Sequence, residues 1–314
     1  MNQRLLASFK NSFGPPKVVE YAGLAIYTEC VRVVKLRLAG EDWVSVLVKE
    51  YPVDRPEKLG KVLKFINSDS QLEGVGTVVV IPADKTQTTQ IELADVSETE
   101  AQYSLPWQVK DLISISPQDM VCDFISMDIQ PSGQAPKAQI IATHRSYLEH
   151  ILKPLHEDRV PVTAISTEQF VLACMQNTKD TAQLLFVQHA GMAATLLILK
   201  NRQICFARKI RGTESVINLI EQDVREYGAE MIAIEIQRSI DYYESQLKQP
   251  PIKDALVAMS GSNEQLIADL LDATLPVRTK VIPYNTILDE TGDMSLPFLT
   301  AYGAALNARQ EGEA

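Results

Sequence analysis

One pattern of short β-rich runs occurs twice in the 314-residue chain, first from Val18 and again from Thr181. Each copy predicts three antiparallel strands joined by polar turns, and helices and further strands follow both copies. An offset of 163 positions lays the second copy over the first, and the pairs that result are Ala25 with Gln188, Val34 with Leu197 and Leu36 with Leu199. The duplication predicts two α/β domains of similar build that face each other across a cleft.

The order of predicted elements sets the domain boundaries. Residues 1–17 form a tail, residues 18–178 a first domain and residues 179–314 a second domain. Strands and helices between about 85 and 160 form an inserted subdomain of the first domain. One helix predicted there, Ser97–Asp111, contains Pro106, which predicts a kink or an early stop. In the second domain, Val216–Leu247 is predicted to be helical with a break at Gly228.

The tail has an amphipathic pattern. Leu5, Leu6, Phe9 and Phe13 fall within one arc of a helical wheel, and Arg4 and Lys10 fall outside it. Two interpretations stay open, a short helix that binds weakly to a membrane surface or a disordered or core-docked tail.

Charge and hydropathy exclude several functional classes. The formal net charge is −10, which provides no basic surface for a nucleic-acid backbone, so we expect no nucleic-acid partner. The apolar runs are far shorter than the roughly 18 residues that span a bilayer. The chain begins without a signal-peptide pattern, which favours a cytoplasmic protein. Four widely spaced cysteines are typical of reduced core thiols (Cys30, Cys122, Cys174 and Cys205).

Histidine and glycine patterns provide no independent catalytic motif. His144, His150 and His156 are spaced by six, which is not the i, i+4 spacing of a zinc-binding helix, and we expect them on a solvated surface. His189 has no nucleophile elbow near it and is interpreted as a strand residue. The sequence also contains no Walker A motif, so we expect no bound metal and no catalytic residue.

Several segments, in this order, resemble the PilM family of type IV pilus assembly proteins within the actin-like ATPase superfamily. They are Val79-Val80-Ile81-Pro82, Leu105-Pro106-Trp107, Asp123-Phe124, residues 235–243 and Ala301-Tyr302-Gly303-Ala304-Ala305-Leu306. The resemblance covers Val18 to Asn307 and is greatest to the MshI branch, which serves the mannose-sensitive haemagglutinin (MSHA) pilus. It implies an actin-like α/β fold, with two ribonuclease-H-like domains around a cleft and an inserted α+β subdomain.

The nucleotide loops that the resemblance implies are degenerate. Active members of the superfamily have Asp-x-Gly in each phosphate loop, but the matching residues are Ala25 and Tyr27 in the first loop and Gln188 and Ala190 in the second. The missing carboxylates could not hold hydrated magnesium. We therefore expect no ATP hydrolysis. Weak ATP binding stays open. Gly191 lies one residue after Ala190, and Gly261 and Ser262 are retained in a third segment, Met259-Ser260-Gly261-Ser262, which resembles the adenosine segment of the superfamily.

The resemblance also implies the partners. The leading hypothesis is a non-enzymatic assembly protein, peripheral to the inner membrane, that binds the cytoplasmic tail of a PilN-like membrane protein and contacts other pilus platform proteins. The tail would lie between the first domain and its inserted subdomain. An ATP-gated switch is the alternative, and a filament protein like FtsA is disfavoured by the polar ending Arg309–Ala314. Self-association stays open.

Overall fold

The computed structural model describes residues 20–39, 42–92, 104–127, 129, 137–176, 180–283 and 296–313. Its first sheet has five strands, of which the first three are antiparallel and the last two parallel. Their order across the sheet is β3 (Asp42–Pro52), β2 (Cys30–Ala39), β1 (Glu20–Ile26), β4 (Gly76–Val80) and β8 (Val162–Ser166).

The second sheet repeats this topology. It again has three antiparallel strands followed by two parallel ones. Their order is β11 (Gln203–Ile210), β10 (Ala194–Lys200), β9 (Gln183–Gln188), β12 (Asp254–Met259) and β13 (Arg278–Val281). The predicted duplication of the strand-rich opening is confirmed.

The register of the duplication differs from the predicted one in its first strand. Val33 pairs with Leu24, whereas Leu196, 163 positions after Val33, pairs with Phe186 and not with Val187. The offset of 163 therefore holds for β2 and β10, while β9 follows β1 by 162 because the second hairpin is one residue longer. The prediction that Ala25 corresponds to Gln188 is wrong, and Val187 is its counterpart. A one-residue slip reverses the face on which every side chain of a strand lies.

Amphipathic helices cover the outer face of each sheet. On the first sheet α1 (Leu59–Ser70) and α3 (Arg145–Glu157) bury leucine and isoleucine side chains against β1 and β4. On the second sheet α6 (Ala229–Asp241) and α7 (Glu264–Thr274) do the same against β9 and β12. Each domain thus has its own apolar core on its outer side.

The predicted break at Gly228 is wrong. A continuous helix runs from 221 to 246 and includes α5 (Glu221–Asp223), α6 and two π-helical segments, Val224–Gly228 and Tyr242–Gln246. A Cβ at Gly228 would lie 2.8 Å from the Cδ1 atom of Leu219. The glycine therefore permits close packing within a helix and does not end it.

The inserted subdomain is a three-stranded antiparallel sheet. Its order is β5 (Thr86–Glu92), β7 (Lys137–His144) and β6 (Met120–Met127). The helix predicted at Ser97–Asp111 is seen as α2 over residues 104–108, which ends before 111, and its residues 97–103 lie outside the described chain. The subdomain ends at His144 and not near 160, because α3 packs into the core of the first domain.

Helices α4 (Glu168–Ala173) and α8 (Leu299–Glu313) lie between the two sheets, in a core shared by both domains. A Cβ at Gly23 of β1 would lie 2.0 Å from the Ala301 carbonyl oxygen, and one at Gly303 would lie 2.4 Å from that of Val171. Glycine is required at both crossings. The predicted domain boundaries place α8 in the second domain. These contacts show that α8 packs on the inner face of the first sheet, because its small residues allow close approach to β1.

Several remaining predictions concern surfaces and termini. The amphipathic pattern around Leu5 to Phe13 lies outside the described residues. Among those that are described, no helix has the length and hydropathy needed to cross a bilayer. Within the described residues the four cysteines form no disulfide, and Cys30 and Cys174 are buried while Cys122 and Cys205 are half-buried. Burial raises the pKa of Cys30 to about 11 and that of Cys122 to about 12.

Candidate functional site

The cleft between the domains is closed by apolar packing. Val34, Leu36 and Val80 of the first sheet belong to one buried cluster with Val187 and Leu197 of the second sheet. Helices α4 and α8 contribute the rest of this cluster. The residues that the resemblance assigns to the two phosphate loops lie at the ends of β1 and β9, beside this cluster.

The first loop places an aromatic ring at the cleft. Ala25 is buried in the shared cluster, and the half-buried ring of Tyr27 packs against it. The Arg32 guanidinium carbon lies 4.7 Å from the centre of this ring, and Arg32 Nη1 donates a hydrogen bond of 3.2 Å to the Pro297 carbonyl oxygen. The buried Tyr27 hydroxyl lies beside Thr300, and burial raises the pKa of Tyr27. The position that matches a phosphate-loop glycine is thus filled by a packed side chain.

The second loop does not direct Gln188 into the cleft. Gln188 is fully buried on the β9 face opposite Val187, and its side-chain amide donates a 2.7 Å hydrogen bond to the Thr213 carbonyl oxygen. Ala190 and Gly191 lie at an exposed turn, where Gly191 has a φ of +68° and a Cβ would meet no atom within 4 Å. These residues form an ordinary β-turn between β9 and β10.

Glu168 connects the domains across the cleft. It is the first residue of α4 in the first domain, and its carboxylate lies 3.0 Å from His189 Nε2 of the second domain. The same carboxylate accepts hydrogen bonds from Thr195 Oγ1 at 3.3 Å and Lys209 Nζ at 3.2 Å. Burial alone would raise the pKa of Glu168, but the His189 hydrogen bond and the Lys209 charge outweigh it and lower that pKa to about 2. We call these four residues the Glu168 cluster.

The Glu168 cluster is not among the sites predicted from the sequence. Glu168 has the pattern of an ordinary acidic residue in the first turn of a helix, and it lies 21 positions from His189 and 41 from Lys209. One signal was available, since His189 follows the last residue of the buried strand β9, where a titratable side chain needs a partner. The fold supplies that partner from the other domain.

The third segment of the resemblance, residues 259–262, packs against its own domain. Gly261 has a φ of +103°, and a Cβ there would lie 2.7 Å from the Ile217 carbonyl oxygen. Ser262 is exposed, and the preceding Ser260 amide donates to the Gln188 carbonyl oxygen at 3.0 Å. The structure therefore brings β9 and the residues after β12 together, and Gly261 is exposed although an added Cβ there would meet the Ile217 backbone.

These residues do not fit ATP with magnesium. Ala25 and Val187, the corresponding positions of the two sheets, are apolar and buried, and Tyr27 is packed where close approach of a phosphate would need a glycine. Across the described part of the chain, no group of three or more histidine, cysteine, aspartate or glutamate residues could hold a metal ion. The arrangement can hold two domains together, and none of the four residues that match the two Asp-x-Gly motifs carries a carboxylate.

The inserted subdomain has two different faces. Val121, Ile125 and Ile141 pack toward the core of the first domain, whereas the opposite face is covered by the segment that contains α2. Trp107 and Leu112 of that segment are each 58% exposed. The outer strands β5 and β6 each pair with β7 alone among the described strands, and a further strand could add to the outer edge of either one.

Asp119 fixes the junction between this subdomain and α3. Its carboxylate lies 2.7 Å from His144 Nδ1 and accepts hydrogen bonds from the Ser146 amide at 3.0 Å and the Ser146 hydroxyl at 3.2 Å. These contacts lower the pKa of Asp119. They cap the first turn of α3 and connect this helix to the residue that precedes β6.

Comparison with known proteins identifies the fold. No protein-family model matches the chain. No curated protein matches it in sequence. Among solved structures, a PilM–PilN type IV pilus biogenesis complex matches with a TM-score of 0.65 at 16% identity, over 93% of this chain and 99% of the other.

Two further structures match less closely. The cytoplasmic domain of EpsL, an inner-membrane component of the type II secretion system of Vibrio cholerae, gives a TM-score of 0.49 at 13% identity, over 91% and 94% of the two chains. A Bacteroides thetaiotaomicron protein of actin-like ATPase fold and unknown function gives 0.47 at 11% identity, over 86% and 93%. The chain has an actin-like ATPase fold, which confirms the predicted fold class.

Proposed function

We propose that this chain is a non-enzymatic assembly protein of a type IV pilus inner-membrane platform, where it binds the cytoplasmic tail of a PilN-like membrane protein. The observation that carries the proposal is the similarity in fold to a chain of a PilM–PilN complex. The similarity covers 93% of this chain and 99% of the other. The filled cleft supports a role that depends on protein contacts and not on catalysis. Other platform proteins would bind elsewhere on the same chain.

The tail is proposed to lie along the edge of β6 that faces away from β7, between the inserted subdomain and the first domain. Ile125 of β6 and Tyr147 of α3 are partly buried hydrophobic residues on this side of the subdomain. A strand added to β6 would gain main-chain hydrogen bonds, and alternate side chains would reach these two residues. The tail would bring the chain to the cytoplasmic face of the inner membrane.

The test is fluorescence anisotropy with a labelled peptide that has the sequence of the cytoplasmic tail of a PilN-like protein from the same organism. Ile125→Ala should weaken binding about tenfold or more, the scale of a buried anchor in an interface. Leu112→Ala is the matched control, because Leu112 lies on the opposite side of the subdomain. Equal affinity of Ile125→Ala and wild type, with thermal unfolding unchanged, would contradict this position of the tail, and failure of the wild type to bind would contradict the function.

The absence of ATP chemistry is part of the same proposal. Thermal unfolding with and without millimolar Mg-ATP tests whether ATP binds, because a ligand at 100 times its Kd adds about 2.7 kcal/mol to the free energy of unfolding. We expect an unchanged midpoint and no release of phosphate. A rise of several degrees would support the ATP-gated switch instead.

The particular pilus is a finer part of the proposal. The loops that lack both Asp-x-Gly motifs support the MshI branch and hence the MSHA pilus. Deletion of the gene should abolish mannose-sensitive haemagglutination and leave other type IV pili assembled. Fractionation should find the chain at the inner membrane only when its PilN-like partner is present.

A further inference from the structure

Hydrophobic side chains lie exposed along the outer side of the continuous helix 221–246. Tyr227 is 43% exposed, Met231 36%, Ile234 45% and Tyr242 39%. The inner side of the same helix is fully buried in the core of the second domain, through Ile232, Ile236 and Ile240 among others. The helix therefore exposes four large hydrophobic side chains in addition to its buried apolar side, which an ordinary surface helix does not.

The exposed residues form a continuous stripe. They follow one another at intervals of four, three and eight positions, and Arg238 fills the gap between Ile234 and Tyr242 on the same side. At 1.5 Å per residue the stripe is about 22 Å long. A patch of this length on a helix that the domain already holds in place is typical of a protein interface. We call it the α6 stripe.

We propose that the α6 stripe binds the α6 stripe of a second copy of this chain, with the two helices antiparallel about a two-fold axis at Ile234. The charges beside the stripe favour a second copy of this chain as its partner. Glu230 lies four residues before Ile234 and Arg238 four residues after it, and both are exposed. The two-fold axis places each Glu230 opposite the Arg238 of the other copy, so two ion pairs form together.

Arg238 keeps its intrachain contact with Glu235 in this arrangement. Its Nη1 lies 2.5 Å from Glu235 Oε1, while 66% of its side chain is exposed and free to meet a second carboxylate. The Glu235 carboxylate also accepts a hydrogen bond from Arg208 Nη2 of β11. These contacts hold the stripe rigid before association, which lowers the entropic cost of binding.

Sedimentation velocity of the full chain from 1 to 200 µM tests the proposal. The wild type should dimerise in the micromolar range, and Ile234→Asp should be monomeric throughout. Phe65→Asp is the matched control, because Phe65 is 58% exposed on α1 of the first domain and should leave the dimer unchanged. A wild type that stays monomeric to 200 µM would overturn the proposal and leave the stripe to a different protein.

Charge reversal tests the antiparallel register. Glu230→Arg or Arg238→Glu alone places like charges opposite each other twice, and we expect the dimer Kd to rise about tenfold or more. The double variant exchanges the two charges and should return the Kd to within about threefold of wild type. A double variant as weak as either single one would overturn this register. Circular dichroism melts of each variant separate loss of folding from loss of association.

Discussion

The carboxylate of Glu168, which begins a helix of the first domain, lies 3.0 Å from the Nε2 atom of His189, which follows a buried strand of the second domain. This contact connects the two halves of the duplication. The side chain of Glu168 is 18% exposed and that of His189 12%, so water screens the pair poorly.

Glu168→Gln should therefore destabilise the protein in a pH-dependent manner. The pKa of Glu168 is lowered to about 2, so the ionised carboxylate stabilises the folded state fully above pH 4.5, and this contribution is lost as the pH falls toward 2. We expect a loss of about 3 kcal/mol in the free energy of unfolding at pH 7, shrinking in acid. His189, Lys209 and Tyr27 are the titratable groups that face this carboxylate.

Urea unfolding of both proteins between pH 2.5 and 7 measures the difference. Glu57→Gln serves as the control, because Glu57 is exposed and should change stability by less than about 0.5 kcal/mol. A difference between Glu168→Gln and wild type that stays constant across this range would show that the charge of Glu168 contributes nothing.

Restoring a carboxylate to the first loop should harm the fold. Ala25 is 1% exposed within the core shared by both domains, so Ala25→Asp buries an unpaired acid and should cost about 3–5 kcal/mol. Ala190→Asp places the same side chain at an exposed turn and should change stability by less than about 0.5 kcal/mol. Chemical denaturation compares the two. A small effect of Ala25→Asp would mean that this part of the cleft can open to water.

Gly23→Ala should separate α8 from the first sheet. The added Cβ would lie 2.0 Å from the Ala301 carbonyl oxygen and 2.5 Å from the Ala305 amide nitrogen, neither of which can rotate away. We expect a loss of at least about 3 kcal/mol. The control is Gly60→Ala in α1, where the nearest atom would be 4.0 Å away and stability should rise by about 0.5 kcal/mol. Thermal melts that rank the two variants in the opposite order would contradict the packing.

Two glycines with positive φ should respond differently to alanine. Gly261→Ala combines a φ of +103° with a Cβ 2.7 Å from the Ile217 carbonyl oxygen, and it should cost about 3 kcal/mol. Gly191→Ala has the backbone strain without the clash and should cost about 1 kcal/mol. Differential scanning calorimetry measures both. Equal costs would indicate that the loop after β12 moves away from residue 217.

The local sequence pattern predicted the strands of both copies correctly, but it did not predict the residue offset between the first strands of the two copies. β-rich runs bounded by turn residues are a local signal, so both three-strand openings and their fold class followed from the sequence. The offset between copies needed the length of each hairpin, and one extra residue in the second moved Gln188 to the face opposite the cleft. Gly228 illustrates the same difficulty, since its contact with Leu219 and not its low helix propensity decides its role.

The candidate site depended on contacts that no local pattern contains. Glu168 meets Lys209 across 41 positions, and α8 reaches Gly23 from the far end of the described chain. Both contacts follow from how two separately predictable domains meet. The degeneracy of the loops was visible at Ala25 and Tyr27, because it concerns residue types and not their geometry.

The position of α8 also limits when the chain can fold during synthesis. The inner face of β1, with Gly23, is covered by residues that a ribosome adds only about 280 positions later. At about 5–20 residues per second this interval lasts roughly 15–60 s, during which the first sheet has one uncovered apolar face. Until translation has passed α8, this inner face therefore lacks the helix that covers β1, because α1 and α3 lie on the outer face.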